Sequence, residues 1–319
     1  MSVYFGTSSN DVFANATATV SGSVIKITAP INAEKINFYA PKDFESTNTY
    51  TLNNVAVDFL NSNGNKIDYN WVSGAPVSAA YDSKTKKLYL VNRESPPRPS
   101  YSKVLAENSW EQIAQAAADG VAQDLWKVGD TKDIIANGET LTVAIMDFYH
   151  DDLADGSGKA PITFGMTQLM AATRQMNGTN TNSGSFAGSS MYSWLSGSVY
   201  SGLNSELKKA IKAVNKKTSA GETSSIIRTD AMYLWLFSEV EVFGTTTYSY
   251  SGEGLQYPYF ATASERIKKL SNGTGAVSYW WERSPIQSNR NNFCRVDTSG
   301  SANNFSASSS RGVCFGFCI

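Results

Sequence analysis

The sequence predicts an α+β protein in two parts: a small N-terminal β-sandwich, then a larger domain with two helices and an irregular β-sheet. Three observations predict it. Roughly the first ninety residues alternate apolar with small or polar side chains between turn signals. Two later segments carry apolar residues at helical spacing. After Met232 the chain breaks into short, aromatic-rich strands and loops, and such a mixture marks the α+β class.

In the N-terminal part, Val24-Ile25-Lys26-Ile27, Ile36-Asn37-Phe38 and Val55-Ala56-Val57-Asp58-Phe59 read as half-buried strands. Asn63-Gly64, between Val55–Leu60 and Lys66–Trp71, is a type I′ hairpin signal. Asp82-Ser83-Lys84-Thr85 reads as a second turn, between Val77–Tyr81 and Lys87–Val91. Short strands at this spacing predict a sandwich. Arg93-Glu94-Ser95-Pro96-Pro97-Arg98-Pro99 then forbids helix and central strand and reads as a stiff linker. The expected division is 1–93 for attachment or oligomerisation, 94–105 for the linker, and 106–319 for ligand binding.

In the second part, Ser109-Trp110-Glu111-Gln112 has the form of a capping box, with Trp110, Ile113, Ala116 and Ala117 on one helix face and Gly120 as the stop. Leu203, Leu207, Ala210, Ile211 and Val214 form a second helical stripe. Lys208 to Lys217 reads as the solvated side of that helix. Asn137-Gly138 predicts a turn before a strand over Leu141–Phe148, and Gly178–Ser190 a long loop.

Composition narrows the function. The 319 residues hold 27 Lys and Arg against 28 Asp and Glu, a formal charge of −1, so no basic patch asks for nucleic acid. No apolar run is long enough to cross a bilayer, and MSVYFGTSSNDVF has neither a basic n-region nor an apolar h-region, so no secretory signal is visible. Cys294, Cys314 and Cys318 make no disulfide framework, which points to a reducing compartment. On a strand, Cys314 and Cys318 share a face about 13 Å apart, too far to bridge.

Catalytic constellations are thin. His150 is the single histidine, in Phe148-Tyr149-His150-Asp151-Asp152, and it is read as a hydrogen-bonded structural residue rather than a base or metal ligand. Glu239 and Glu241 fall on one face of an expected strand, but nothing fixes them at a glycosidase separation. Gly252-x-Gly254 does not lie between a strand and a helix, so it is no phosphate loop. The expectation is a protein with no catalytic residues, no metal and no cofactor. Tyr279, Trp280 and Trp281 could stack a ligand, and the core reading carries more weight. Arg283 is expected to pair with one of Glu239, Glu241, Asp147 or Asp152.

Several pieces, in order, resemble a known family: Val128-Gly129-Asp130, His150-Asp151-Asp152, Met176-Asn177-Gly178-Thr179, and Ser190-Met191-Tyr192-Ser193-Trp194-Leu195. They continue with Leu236–Gly244, Gly254-Leu255-Gln256-Tyr257, Trp281-Glu282-Arg283-Ser284-Pro285 and the ending Gly312–Ile319. From about Trp110 to the end the chain resembles C-type lectin-fold proteins of the formylglycine-generating-enzyme subtype, some of which are the variable proteins of diversity-generating retroelements. Cys314 and Cys318 do not map onto the enzymes' cysteine pair, and the calcium-binding loops of animal lectins are missing.

The resemblance implies a C-type lectin-like domain whose last strands return to the core while a polar run before them is displayed. In such systems adenines of a template are copied unfaithfully, which turns Asn codons into many residues but never Lys, Glu, Gln, Met or Trp. Those five are missing from Ser288 to Arg311. The implied ligand-binding positions are Ser288, Asn289, Arg290, Asn291, Asn292, Cys294, Arg295, Asp297, Thr298, Ser301, Asn303, Asn304, Ser306, Ser308 and Ser310, within a variable region of about 278–311. Phe293, Val296, Gly300, Ala302, Ala307 and Gly312 would be scaffold. The implied protein is a phage receptor-binding or tail-tip homotrimer on the virion, with a host surface receptor and other tail proteins as partners. A bacterial adhesin-like variable protein and a glycan-acting enzyme are the alternatives.

Overall fold

The computed structural model describes residues 14–21, 23–30, 33, 35–40, 49–60, 76–91 and 101–319. The predicted Asn63-Gly64 turn, the Lys66–Trp71 strand and the Arg93–Pro99 linker lie outside the described residues. The chain divides into two compact units, Met1–Ser100 and Tyr101–Ile319.

The first unit holds β1 (Ala14–Asn15), β2 (Thr17–Ser21), β3 (Val24–Thr28), β4 (Lys35–Tyr39), β5 (Thr49–Leu52), β6 (Val55–Leu60), β7 (Pro76–Asp82) and β8 (Lys87–Leu90). They form one sheet in the order β1-β4-β7-β8-β6-β5-β3-β2. Only Ala16 separates β1 from β2, so one stretch of chain pairs with β4 along its first part and with β3 along its second. That shared stretch brings the two edges of the sheet together into a nearly closed, barrel-like form, which leaves little edge open to another chain. Ile25, Ile27, Ile36, Phe38, Phe59 and Leu88, all from alternating positions, fill its interior. Asp82 fixes the β7–β8 turn by accepting from the amides of Lys84 (2.9 Å) and Thr85 (3.3 Å).

The second unit opens with α1 (Trp110–Ala118), closed at its start by the Ser109–Gln112 capping box, and α2 (Ala122–Leu125). Its largest sheet has five strands: β9 (Thr131–Ala136), β10 (Glu139–Phe148) and β11 (Ile162–Met166) from the middle of the unit, then two from later in the chain. Next come β12 (Arg174–Gln175), α3 (Ser190–Trp194), α4 (Ser205–Ala210) and the hairpin of β13 (Val214–Gly221) and β14 (Ser224–Met232). The chain continues through β15 (Trp235–Leu236), α5 (Glu239–Phe243) and α6 (Ala263–Arg266). It closes with β16 (Trp280–Pro285), β17 (Asn292–Val296), β18 (Ala302–Ser306), β19 (Ser310–Arg311) and β20 (Phe315–Cys318).

The order β15-β20-β11-β10-β9 places the last strand inside the largest sheet. This is why an apolar segment ends a polar run: β20 pairs on both sides, and Phe315 and Phe317 are fully buried. Burying each ring contributes about 1.5–3 kcal/mol. Gly165 and Gly316 face each other across β11 and β20. A Cβ at either would meet the Phe237 ring at 2.5 or 2.9 Å, so the glycine pair makes the seat for that ring.

Strand takes 41% of the structure and helix 17%. The predicted α+β arrangement, a sandwich followed by a C-type lectin-like domain of two helices and one irregular sheet, is therefore corrected to a β-dominated chain of several sheets. The reasons are local. The stripe Leu203–Val214 is helical only over Ser205–Ala210: Ile211 turns extended (ψ 132°), and Lys212 N donates to Cys318 O. Glu239 and Glu241 lie on a short helix rather than a strand, because Ser238 and Glu241 close a capping box and Gly244 (φ 74°) ends it.

Candidate functional site

The second half of the chain holds two groups of charged side chains, and the three-stranded sheet β16-β17-β18 links them. Between Trp281↔Arg295 and Pro285↔Phe293 the β16–β17 register shifts, so Glu282, Arg283 and Ser284 bulge out of the pairing. Arg283 N donates to Phe237 O (2.8 Å), which turns its side chain into the interior.

There Arg283, fully buried, makes a two-pronged ion pair with Glu241, with Nη2 2.9 Å from Oε1. It also donates to Lys217 O, Thr218 Oγ1, Leu236 O and Glu253 O. Of the four partners the sequence left open, Glu241 is the one. Lys216, buried as well, lies 2.6 Å from Glu241 and 2.6 Å from Asp151. Tyr257 and Thr163 donate to Asp151 at 2.8 and 2.7 Å. The solvated-helix reading of Lys208–Lys217 thus fails at Lys216, which sits on β13 pointing inward. Two cations and two carboxylates, Lys216 and Arg283 with Asp151 and Glu241, balance within this network.

Burial alone would raise the Asp151 and Glu241 carboxyls, but the cations outweigh it: Lys216 holds Asp151 well below the carboxylate range, and Arg283 then Lys216 hold Glu241 down. Glu253 accepts from Ser219 N (2.7 Å) and Ser284 Oγ, and burial pushes it up to about 7. Glu282 is pushed well above its ordinary value, first by burial and then by Glu239 and Glu253. Both its oxygens are buried with no hydrogen-bond partner among the described residues, a setting that disfavours the charged carboxylate.

A cleft of about 340 Å³ opens over this network, lined by His150, Asp152, Lys159, Lys216, Glu253 and Gly254 among others. Gly254 (φ 132°) lets the backbone pass close above the Glu241 carboxylate, where a Cβ would come within 3.0 Å. The groups singled out for chemistry are engaged in the fold itself. His150 Nδ1 is 2.8 Å from Asp147 and its ring stacks on Tyr257 at 4.0 Å. Glu239 accepts from the amides of Tyr248 and Ser249 and from Ser249 Oγ. Glu241 is held by Arg283 and Lys216.

The predicted ligand positions fall on β17, β18 and their turns. Ser288, Arg290, Asn291, Thr298, Ser301 and Ser310 are exposed; Asn289, Asn292, Asp297, Asn303, Asn304, Ser306 and Ser308 are half-buried; Arg295 is buried, with 7% of its surface exposed. Cys294 is not on this surface: it is fully buried, facing the carboxyl-rich interior, and presents nothing to a ligand. Phe293, Val296, Gly300, Ala307 and Gly312 are buried and Ala302 half-buried. Asn289 and Asp297 build turns. Asn289 Oδ1 accepts from the amides of Asn291 and Asn292, and Asp297 Oδ1 from those of Ser299 and Ser301. Buried Asn182 braces the first turn by donating to Asn289 O, Asn292 O and Arg290 O. Trp280 and Trp281 are fully buried core, and their indole nitrogens donate to Arg266 O and Arg174 O at 2.8 and 2.9 Å.

Tyr279 alone of the aromatic trio reaches the surface, where it joins the predicted position Arg295 and also Arg311, Arg174 and Trp194, none of which is a predicted ligand position. The Arg295 guanidinium lies 4.1 Å from the Tyr279 ring centre and 4.3 Å from that of Phe305. Arg311 lies 4.4 Å from the Phe305 ring and 5.7 Å from Tyr279. Arg174, directly across the β12–β19 pair from Arg311, stacks on Trp194 at 4.3 Å. Phe305 is 40% exposed. Burial, and then the neighbouring Arg311, lowers Arg295 to about 10, which still leaves it charged at neutral pH. No local signal marks Arg174, Trp194 or Arg311, because they lie far apart in sequence and meet through strand pairing.

A family model described as a domain of unknown function, DUF6273, matches residues 163–319, which span β11 to β20 and carry both charged groups except Asp151. Searches of curated proteins and of solved structures found no match.

Proposed function

We propose that the chain is a recognition protein of the phage receptor-binding type. Its C-terminal unit displays the β17–β18 hairpin and its turns to the host surface, and its N-terminal unit attaches the molecule to the tail or to further copies of itself. No chemical step is involved. What supports this is the division of labour within the hairpin: its scaffold residues are interior, while Asn291, Asn303, Asn304, Ser306 and Ser310 stand at or near the surface.

Small polar side chains on a fixed backbone make an adaptable binding surface. The backbone is held by groups that do not change when these side chains do: the β17–β18 ladder from Asn292↔Ser306 to Val296↔Ala302, and Asn182 beneath the first turn. Resemblance of Trp281–Ile319 to the variable ends of retroelement proteins adds the idea that the surface is diversified. Reading the coding DNA and its neighbours tests that. The expected finding is a near-copy of the codons for Trp281–Ile319, differing only where the copy has adenine, beside a reverse-transcriptase gene. With no such copy, the hairpin is an ordinary fixed surface and the diversification is refuted.

A further inference from the structure

We infer that the arginine and aromatic cluster of Tyr279, Arg295, Phe305, Arg311, Arg174 and Trp194 is an oxyanion-binding site, and that its ligand is an acidic glycan carrying carboxylate, sulfate or phosphate groups. This rests on the recognition reading and names the ligand class of that surface.

Three guanidiniums share one face, and among the described residues none has a carboxylate within ion-pair distance. Arg174 and Arg311 are directly opposed across two strands, and Arg295 and Arg311 share two rings. Like charges so placed repel, and a fold that needed only packing there would gain from a neutral residue. Arg283 shows the alternative, since on the same sheet every direction of its fork meets an acceptor.

Stacking fixes the planes of the three guanidiniums, and although Arg295 is only 7% exposed, its Nη1, Arg311 Nη2 and the whole Arg174 fork have no hydrogen-bond partner among the described residues. Arg295 spends Nε and Nη2 on a single oxygen, Asn303 Oδ1, at 3.3 Å each. Arg311 uses Nη1 on Ser310 O, while its Nε is buried with no partner among the described residues. Among the described residues no side-chain hydrogen bond holds Arg174, which stacks on Trp194. Planar donors held in place without an anion suit two-pronged recognition of a carboxylate, sulfate or phosphate. Around them Gln175 Nε2 donates to Ser308 O and Ser306 Oγ to Asn180 Oδ1, and the amide and hydroxyl capacity that remains on the exposed Asn180 and Gln175 and on Ser308 suits sugar hydroxyls. The near-neutral net charge of the chain, −1, argues against a duplex nucleic acid, which asks for an extended basic face.

The test is direct binding of the full chain to oligogalacturonate, dextran sulfate, a phosphate-bearing glycan polymer, neutral dextran and duplex DNA, with Arg295→Gln and Arg311→Gln, singly and together. Binding to at least one acidic glycan and not to neutral dextran is expected. It should weaken with added salt, and by about tenfold or more in each variant, since a lost charge-assisted hydrogen bond is worth at least that. The three acidic polymers separate the possible oxyanions. Equal binding by the wild-type chain and the double variant overturns the proposal, as does binding to none of the acidic glycans or a preference for DNA. Host-cell adsorption separates the two readings. Adsorption unaffected by the double substitution leaves recognition standing and sinks the anion site; acidic-glycan binding without adsorption does the reverse.

Discussion

Arg283 and Arg295 belong to neighbouring strands of one three-stranded sheet, and the fold treats them in opposite ways. Arg283 points into the core, where Glu241 neutralises it and backbone carbonyls take its remaining donors. Arg295, also buried at 7% exposure, points to the other side, held between two aromatic rings and next to Arg311, with no ion pair among the described residues. A buried charge is tolerated only where every partner is supplied. Arg295 has only the neutral Asn303 for its hydrogen bonds and no carboxylate within ion-pair distance among the described residues, and on the proposed reading its charge serves a ligand. On that reading the difference separates the part of the sheet that specifies the fold from the part proposed to meet a ligand.

The comparison can be broken most severely on its buried side. Arg283→Ala leaves Glu241 and Asp151 to share Lys216 alone, one buried carboxylate too many, and should cost about 3–5 kcal/mol, read by chemical denaturation. A loss under about 1 kcal/mol would mean that the network does not hold the sheet. Trp281→Ala removes a fully buried ring from the same strand and should cost about 3–5 kcal/mol, so a neutral result would return the ring to the ligand surface.

Titration sharpens the buried side. Folded Glu253 keeps its proton up to about pH 7 against an ordinary 4.5, so the folded state binds the proton more tightly than the unfolded chain. The stability this contributes is fully present below about pH 4.5 and is lost as pH rises through 7. Asp151 and Glu241 act with the opposite sign, losing stability as pH falls below their ordinary values of 3.8 and 4.5. Melting temperature should therefore peak in mildly acidic solution, and Glu253→Gln should flatten the decline toward neutral pH. An unchanged decline in that variant would assign it to another group. Glu282→Met, which replaces an unpartnered buried carboxyl, should be neutral or stabilise by about 1 kcal/mol. A large loss would reveal a partner for that carboxyl.

How much of this the sequence shows depends on how local each signal is. The Ser109–Gln112 capping box and the Asp82–Thr85 turn are set by neighbours within four residues, and both form as read. The apolar run Val313–Ile319 stands out in the sequence, its return to the core is what the resemblance implies, and the structure buries it. Where tertiary pairing decides, sequence spacing misleads. Leu203–Val214 has a helical period, yet its last residues are drawn into pairing with β20 and β14. Glu239-Val240-Glu241-Val242 alternates like a strand, yet a capping box makes it a turn of helix. The same holds at the site. The polar hairpin is legible as a displayed run, but Cys294 falls on its inner face, and Arg174 and Arg311 meet only because β12 pairs with β19.

The central claim is that the arginine cluster is held for a ligand at some expense to the fold. The most direct measurement is the melting temperature of the triple variant Arg174→Gln, Arg295→Gln, Arg311→Gln against the wild-type chain, at low and at high salt. The account predicts a variant at least as stable as the wild type at low salt, with the wild type gaining more from added salt because its repulsion is screened. A loss on the scale of Arg283→Ala, with no difference in salt response, would make the cluster part of the scaffold and contradict the account.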